Sequence, residues 1–131
     1  SIRLDNSSAA CGEASNPCRP GSQPVSTDQL YHYVVARSDL PVGFLCGQID
    51  HAAGESAISP VPPGTTAVVL SVPDIKHLLE VRQQLTMAGI PHCLICEPDP
   101  PYNGSPTCIG VAPTTDRRRV RRVLGRLPLL R

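Results

Sequence analysis

Apolar and polar positions follow two different periods along this chain. The run LYHYVVA (30–36) is β-branched and aromatic and predicts a strand. After a turn at 39–43, Leu45, Ile49 and Ala52 or Ala53 recur at spacings of three and four, which predicts a helix over Phe44–Ala57. The Pro-rich connector SPVPPG (59–64) leads into TAVVLSV (66–72), a continuous apolar run with turn signals on both sides. That pattern marks a strand buried on both faces, so an interior position in the sheet is expected. Pro73 then opens a helix whose stripe is Ile75, Leu78, Leu79, Leu85 and Ala88, with Gly89 at its stop. HCLIC (92–96) and TCIGVA (107–112) read as two further strands joined by the turn-rich loop EPDPPYNG (97–104). Thr115 is expected to cap a last helix with Val120, Val123, Leu124 and Leu127 toward the core.

The resulting order is β-α-β-α-β-β-α. Two crossovers of helical length predict parallel, right-handed pairs. The 97–104 loop is too short for a crossover, so the last two strands should pair antiparallel. The expected fold class is α/β, a three-layer α/β/α arrangement around a four-stranded mixed sheet.

Composition narrows this further. At 131 residues and 14.0 kDa the chain has room for one domain. Aromatics are 3% of it, so its core must be aliphatic. Residues 1–28 are rich in Ser, Pro, Gly and Asn without an apolar period, and are expected to form a flexible tail before a domain at 29–131. No apolar stretch approaches the roughly 20 residues of a membrane span. No basic segment followed by an apolar one opens these residues, so no retained signal peptide is expected. Six cysteines, two of them in the tail, show no spacing that fixes a disulfide framework or four metal ligands, and no cofactor is implied. A reducing compartment, the cytoplasm, is the expected context, and a mitochondrial one is not excluded.

Charge is uneven. Seven basic residues and one acid fall in the last sixteen positions, a local charge of +6 against −5 for the rest. Arg117, Arg118, Arg119, Arg121 and Arg122 are candidates to meet a polyanion, or else form a solvated helix face.

The common nucleotide, metalloprotease and hydrolase fingerprints are absent. Polar groups concentrate instead on the first helix, GFLCGQIDHAAGES, where Phe44, Gln48 and His51 share a face and Asp50 points elsewhere. Open α/β sheets place ligands beside such a helix start. His51 could shuttle a proton and Gln48 orient a water or a carbonyl, or both could be structural.

The segment GQIDHAA, followed by GSPTCIGVAP, resembles the archaeal and eukaryotic class of peptidyl-tRNA hydrolases. Gln48, His51, Ala52 and Ala53 match the family's Gln-x-x-His-Ala-Ala helix, and Gly104, Ser105, Thr107, Gly110 and Pro113 its later loop and strand. The resemblance covers residues 30–131 and implies the sheet-between-helices fold already read from the pattern. It departs at three places. The family's helix-opening lysine falls on Phe44, its Asp-Ala-Gly-x-Thr-Gln motif is replaced by a loop offering Glu97, Asp99, Tyr102 and Asn103, and its next helix is reduced to the SPVPPG connector. In these respects the chain is similar to the divergent peptidyl-tRNA hydrolase domain-containing subgroup.

Two functions follow from the resemblance. The first is hydrolysis of the ester between a peptide and the 3′-terminal ribose of tRNA. There Thr107 would offer its hydroxyl to the carbonyl or the water, Gln48 would position one of them, His51 or Asp99 would move the proton, and the arginine helix would hold the acceptor stem. The second is a catalytically degenerate RNA- or protein-binding module, with Phe44 filling the former cationic pocket.

Overall fold

The computed structural model describes residues 28–131, so the expected tail lies almost wholly outside the described residues. Seven elements follow one another: β1 (Tyr31–Arg37), α1 (Val42–Ser56), β2 (Thr66–Val72), α2 (Ile75–Met87), β3 (His92–Glu97), β4 (Ser105–Val111) and α3 (Arg117–Leu124). The sheet order is β2-β1-β4-β3, with β1 and β2 parallel and both β1–β4 and β3–β4 antiparallel. The chain is therefore an α/β protein with a four-stranded mixed sheet.

Helices cover both faces. On one face Val34, Ala36, Leu40, Ile95 and Cys108 pack with Leu45 and Ala52 of α1. On the other, Tyr33, Val35, Leu70, Val72, Ile109 and Val111 meet Leu78, Val81 and Leu85 of α2 and Val120 and Leu124 of α3. Alternate residues of β1 feed the two clusters, as the period of a strand requires. Leu78, Leu85 and Ile109 are fully buried, each stabilising the fold by about 1.5–3 kcal/mol relative to an exposed side chain.

Two sequence expectations about the sheet do not hold. The segment 66–72 forms an edge strand, and the second crossover ends on the far edge, where β3 pairs with β4 rather than with β2. β2 lacks a polar face because its two faces feed the two clusters, Leu70 and Val72 on one side and Val69 on the other. Its outer edge is closed by the C-terminal segment, where Leu70 bridges Leu129, Ser71 N–H donates to Pro128 O and Leu130 N–H to Val69 O, each at 2.9 Å. An edge strand paired in this way is shielded from further pairing.

Helix limits are set by local chemistry. Asp74 caps α2 by accepting from His77 N–H at 3.0 Å. Asp116, not Thr115, caps α3 by accepting from Arg119 N–H at 3.1 Å, and Thr115 is exposed. The buried stripe of α2 is Leu78, Val81 and Leu85, while Leu79, expected inside, is 41% exposed. α1 presents Leu45, Gln48, Ala52 and Ser56 inward, at spacings of three and four. It lies so close to β4 that a Cβ on Gly110 would collide with Ala52 O and stand 2.7 Å from Ser56 Oγ. No helix among the described residues is long and apolar enough to cross a membrane.

Candidate active site

α1 and β4 bring Gln48 and Thr107 together. Both are buried, and the Thr107 hydroxyl donates to Gln48 Oε1 at 2.6 Å, with Ile95 O at 3.2 Å as a second acceptor. Gln48 Nε2 in turn donates to Glu97 Oε1 at 3.2 Å. Glu97 Oε2 accepts the Asp99 N–H at 3.2 Å. The amide is thus oriented from both ends, its oxygen toward a hydroxyl and its nitrogen toward a carboxylate. One amide hydrogen of Gln48 remains for another acceptor.

A β-bulge makes this possible. Ile95 faces Cys108 and Cys96 faces Pro106, so β4 carries Thr107 as an extra residue. Strict alternation would place Thr107 with Ile109 and Val111, toward α2 and α3. The bulge turns it instead to the side of Cys108, where α1 lies. Cys108 itself is no nucleophile: burial pushes its thiol up to about 12.

Phe44 stands one helical turn before Gln48, half-buried, and stacks on Tyr102 of the β3–β4 loop, with ring centroids 4.3 Å apart and 9° between planes. That loop is folded back by Gly104 N–H, which donates to Glu97 O at 2.6 Å, and Asn103 and Gly104 take positive φ of 48° and 90°. Together these contacts hold Tyr102 over the start of α1, against Phe44.

The other candidates are placed elsewhere. His51, one turn beyond Gln48, is exposed and makes no hydrogen bond to this cluster. Asp99 is exposed and engages the cluster through its backbone; the carboxylate that reaches Gln48 belongs to Glu97. In the sequence Glu97 opens the 97–104 loop, where nothing distinguishes it from Asp99; in the structure it is the last residue of β3. Arg37 was not singled out. Its buried guanidinium takes a bidentate grip on Asp39 (2.9 and 3.0 Å) and donates to Ser105 Oγ at 3.1 Å and Pro106 O at 2.9 Å, fixing the strand end that carries Thr107. A buried strand ending in Arg, with an acid two residues on, was its signal.

The arginines of α3 do not adjoin this cluster, because α1 and α3 pack on opposite faces of the sheet. Arg119 Nη2 is spent on the end of α2, donating to Ala88 O at 2.8 Å and Gly89 O at 3.0 Å. Arg117 lies over the Tyr31 ring, 4.9 Å from its centroid, and its Nε is 3.4 Å from Tyr33 Oη. Arg117, Arg118, Arg121 and Arg122 line a shallow concavity. A separate groove of about 440 Å³ opens at the carboxyl ends of β1 and β2, where His77, Glu80 and Arg126 contribute polar groups; it shares no residue with the Gln48 cluster.

No curated protein matches this chain. Among solved structures, a protein of unknown function from Agrobacterium tumefaciens is similar at 19% identity over 77% of this chain and 97% of its own length, with a TM-score of 0.49. Residues 30–130 match the family described as peptidyl-tRNA hydrolase PTH2, and the chain belongs to that family.

Proposed function

We propose that this protein hydrolyses the ester joining a peptide to the 3′-terminal ribose of tRNA, acting in the cytoplasm in translation quality control. The observation that carries the reading is the Thr107–Gln48–Glu97 chain of hydrogen bonds. A buried amide held from both ends is pre-organised to present its remaining N–H to a carbonyl oxygen that gains charge during attack. Glu97 is half-buried at the end of the chain and is the carboxylate in position to accept a proton from the attacking water. Thr107 acts through Gln48, as a positioning residue. His51 and Asp99 lie outside the chain, and a part for either is limited to the path of the leaving proton. Arg118, Arg121 and Arg122, the α3 arginines not engaged elsewhere in the fold, supply the positive surface for tRNA phosphates.

The test is single-turnover release of peptide from peptidyl-tRNA. The wild type is expected to release it, and Glu97→Gln to lower the rate by about 10²–10⁴ while tRNA still binds. A second reading, the degenerate binding module, is favoured by one observation: Phe44, stacked on Tyr102, occupies the place of the family's lysine. Binding of tRNA without any release by the wild type selects that reading.

A further inference from the structure

The five arginines of α3 divide by what they already do. Arg119 closes the end of α2, and Arg117 is held against Tyr31 and Tyr33. Arg118, Arg121 and Arg122 are exposed and make no ion pair among the described residues. On a helix, side chains three and four apart start about 5–6 Å from one another, so these three form one patch. The nearest acid along the chain, Asp116, is engaged with the backbone of Arg119. Such crowding of like charge costs stability unless a polyanion relieves it.

The chemistry favours a nucleic-acid backbone over an anionic membrane. An interfacial helix must lay an apolar face into lipid. Here Val120 and Leu124 are buried in the core, leaving only guanidinium groups outside. Guanidinium forks match phosphate oxygens in pairs.

Position adds the decisive point. Gln48 meets Thr107 on the α1 face, at the level where β4 neighbours the end of β1, since Ala36 pairs with Cys108. α3 begins on the other face, against Tyr31 and Tyr33 at the start of β1. α3 runs from there back toward the carboxyl end of β2, where Ser71 N–H donates to Pro128 O, so what separates Arg118, Arg121 and Arg122 from Gln48 is the sheet itself.

We infer that Arg118, Arg121 and Arg122 form a second RNA site, distinct from the Gln48 cluster, that takes backbone phosphates of the tRNA body remote from the 3′ end. The inference rests on the peptidyl-tRNA reading for its ligand but not on turnover. An acceptor end seated at Gln48 lies on the α1 face and leaves the arginines of the opposite face to the phosphates that the body of an intact tRNA supplies.

The experiment compares binding of intact deacylated tRNA with that of a short single-stranded oligonucleotide of the acceptor end, by fluorescence anisotropy. The triple variant Arg118→Gln, Arg121→Gln, Arg122→Gln is expected to weaken tRNA binding at least tenfold. The slope of log affinity against log salt should fall by about 0.9 for each lost contact. Oligonucleotide binding should change less than about twofold, the shift left once the phosphate contacts that steepen salt dependence lie elsewhere. Arg119→Gln serves as the comparison: it should lower Tm by removing the two carbonyl contacts at the end of α2, yet keep the salt slope. Equal losses for both ligands would place the arginines at the 3′ end and overturn the inference. So would unchanged tRNA affinity in a folded triple variant, or wild-type binding to phosphatidylserine vesicles without binding to tRNA. Because release is not read, a protein that binds tRNA through α3 without hydrolysing it upholds this inference while the esterase reading fails. Hydrolysis with tRNA affinity indifferent to the arginines does the reverse.

Discussion

Thr107 reaches Gln48 only because β4 carries one residue more than β3 at that point. The bulge opposite Ile95 and Cys96 turns the Thr107 side chain to the α1 face, where its hydroxyl donates to Gln48 Oε1 at 2.6 Å. A buried acceptor that loses its donor costs about 1–3 kcal/mol. Thr107→Val, nearly isosteric, should therefore lower stability by that amount, a fall of roughly 4–8 °C in Tm for each kcal/mol in a domain of this size. Thr107→Ser keeps the hydroxyl and should be milder. If Val is tolerated as well as Ser in thermal melts, the hydroxyl does not hold the amide.

Gly110 governs how closely α1 approaches the sheet. Any Cβ there meets Ala52 O and Ser56 Oγ, and backbone cannot yield as a flexible side chain does. Overpacking of this kind costs about 1–3 kcal/mol or more. Gly110→Ala should lower Tm and also displace Gln48, which rides on the same helix; misplacement of a reacting group by about 1 Å can cost 10²-fold in rate. A variant with unchanged Tm would mean that α1 packs more loosely than these contacts imply.

His32 gives stability a pH dependence of known sign. It is buried, with Nε2 2.8 Å from Ser56 Oγ, whose own hydrogen goes to Ala52 O at 2.7 Å, so the imidazole N–H is the donor. Burial holds its pKa below the ordinary 6.5. Well above pH 6.5 the imidazole is neutral in both folded and unfolded chains, and its contribution is constant. Below 6.5 the unfolded chain takes a proton that the folded one resists, so stability falls as pH drops toward the lowered folded value. Urea midpoints between pH 7.5 and 5 should fall more steeply for the wild type than for His32→Gln. Parallel curves would count against a buried neutral imidazole.

Local patterns made most elements legible. The spans of β2 and β3 were readable almost to the residue, because each is an apolar run between turn signals. Sheet order was not. That β4 inserts beside β1 is a non-local pairing, and β2 is apolar because helices cover both of its faces, which an edge strand closed by the C-terminal segment shares with an interior one. Gln48 and Thr107 stood out through family resemblance, but the bulge that joins them leaves no trace in an alternating pattern. Glu97 and Asp99 differ only in how the loop folds back, which depends on the tight turn at Asn103 and Gly104. The separation of the arginines from the Gln48 cluster could not be read along the chain, since it is fixed by which face of the sheet each helix covers.

Phe44 is the sharpest handle on whether chemistry survives. Its ring lies flat on Tyr102, an arrangement that contributes about 0.5–1.5 kcal/mol beyond the area it buries. Phe44→Lys gives up this stack, but the position is only half-buried and lies in the first turns of α1, so the stem can lie along Tyr102 with the ammonium at the rim. A cation at a helix start disturbs stability by only a few tenths of a kcal/mol. The fold should therefore persist, with Tm lower by a few degrees, consistent with the roughly 4–8 °C per kcal/mol of a small domain. A positive charge one turn from Gln48 would stand near the oxygen that gains charge as the ester is attacked. Fixed charges aimed at such an oxygen change rates by about 10²–10³. Phe44→Lys is accordingly expected to raise single-turnover release of peptide from peptidyl-tRNA at least tenfold over wild type, a conservative share of that range. Adding Thr107→Ala should remove the gain, because the amide that works beside the new charge is no longer held. Melting curves run alongside separate loss of fold from loss of chemistry. A folded Phe44→Lys protein that binds tRNA and releases nothing would sink the esterase reading and leave the binding module.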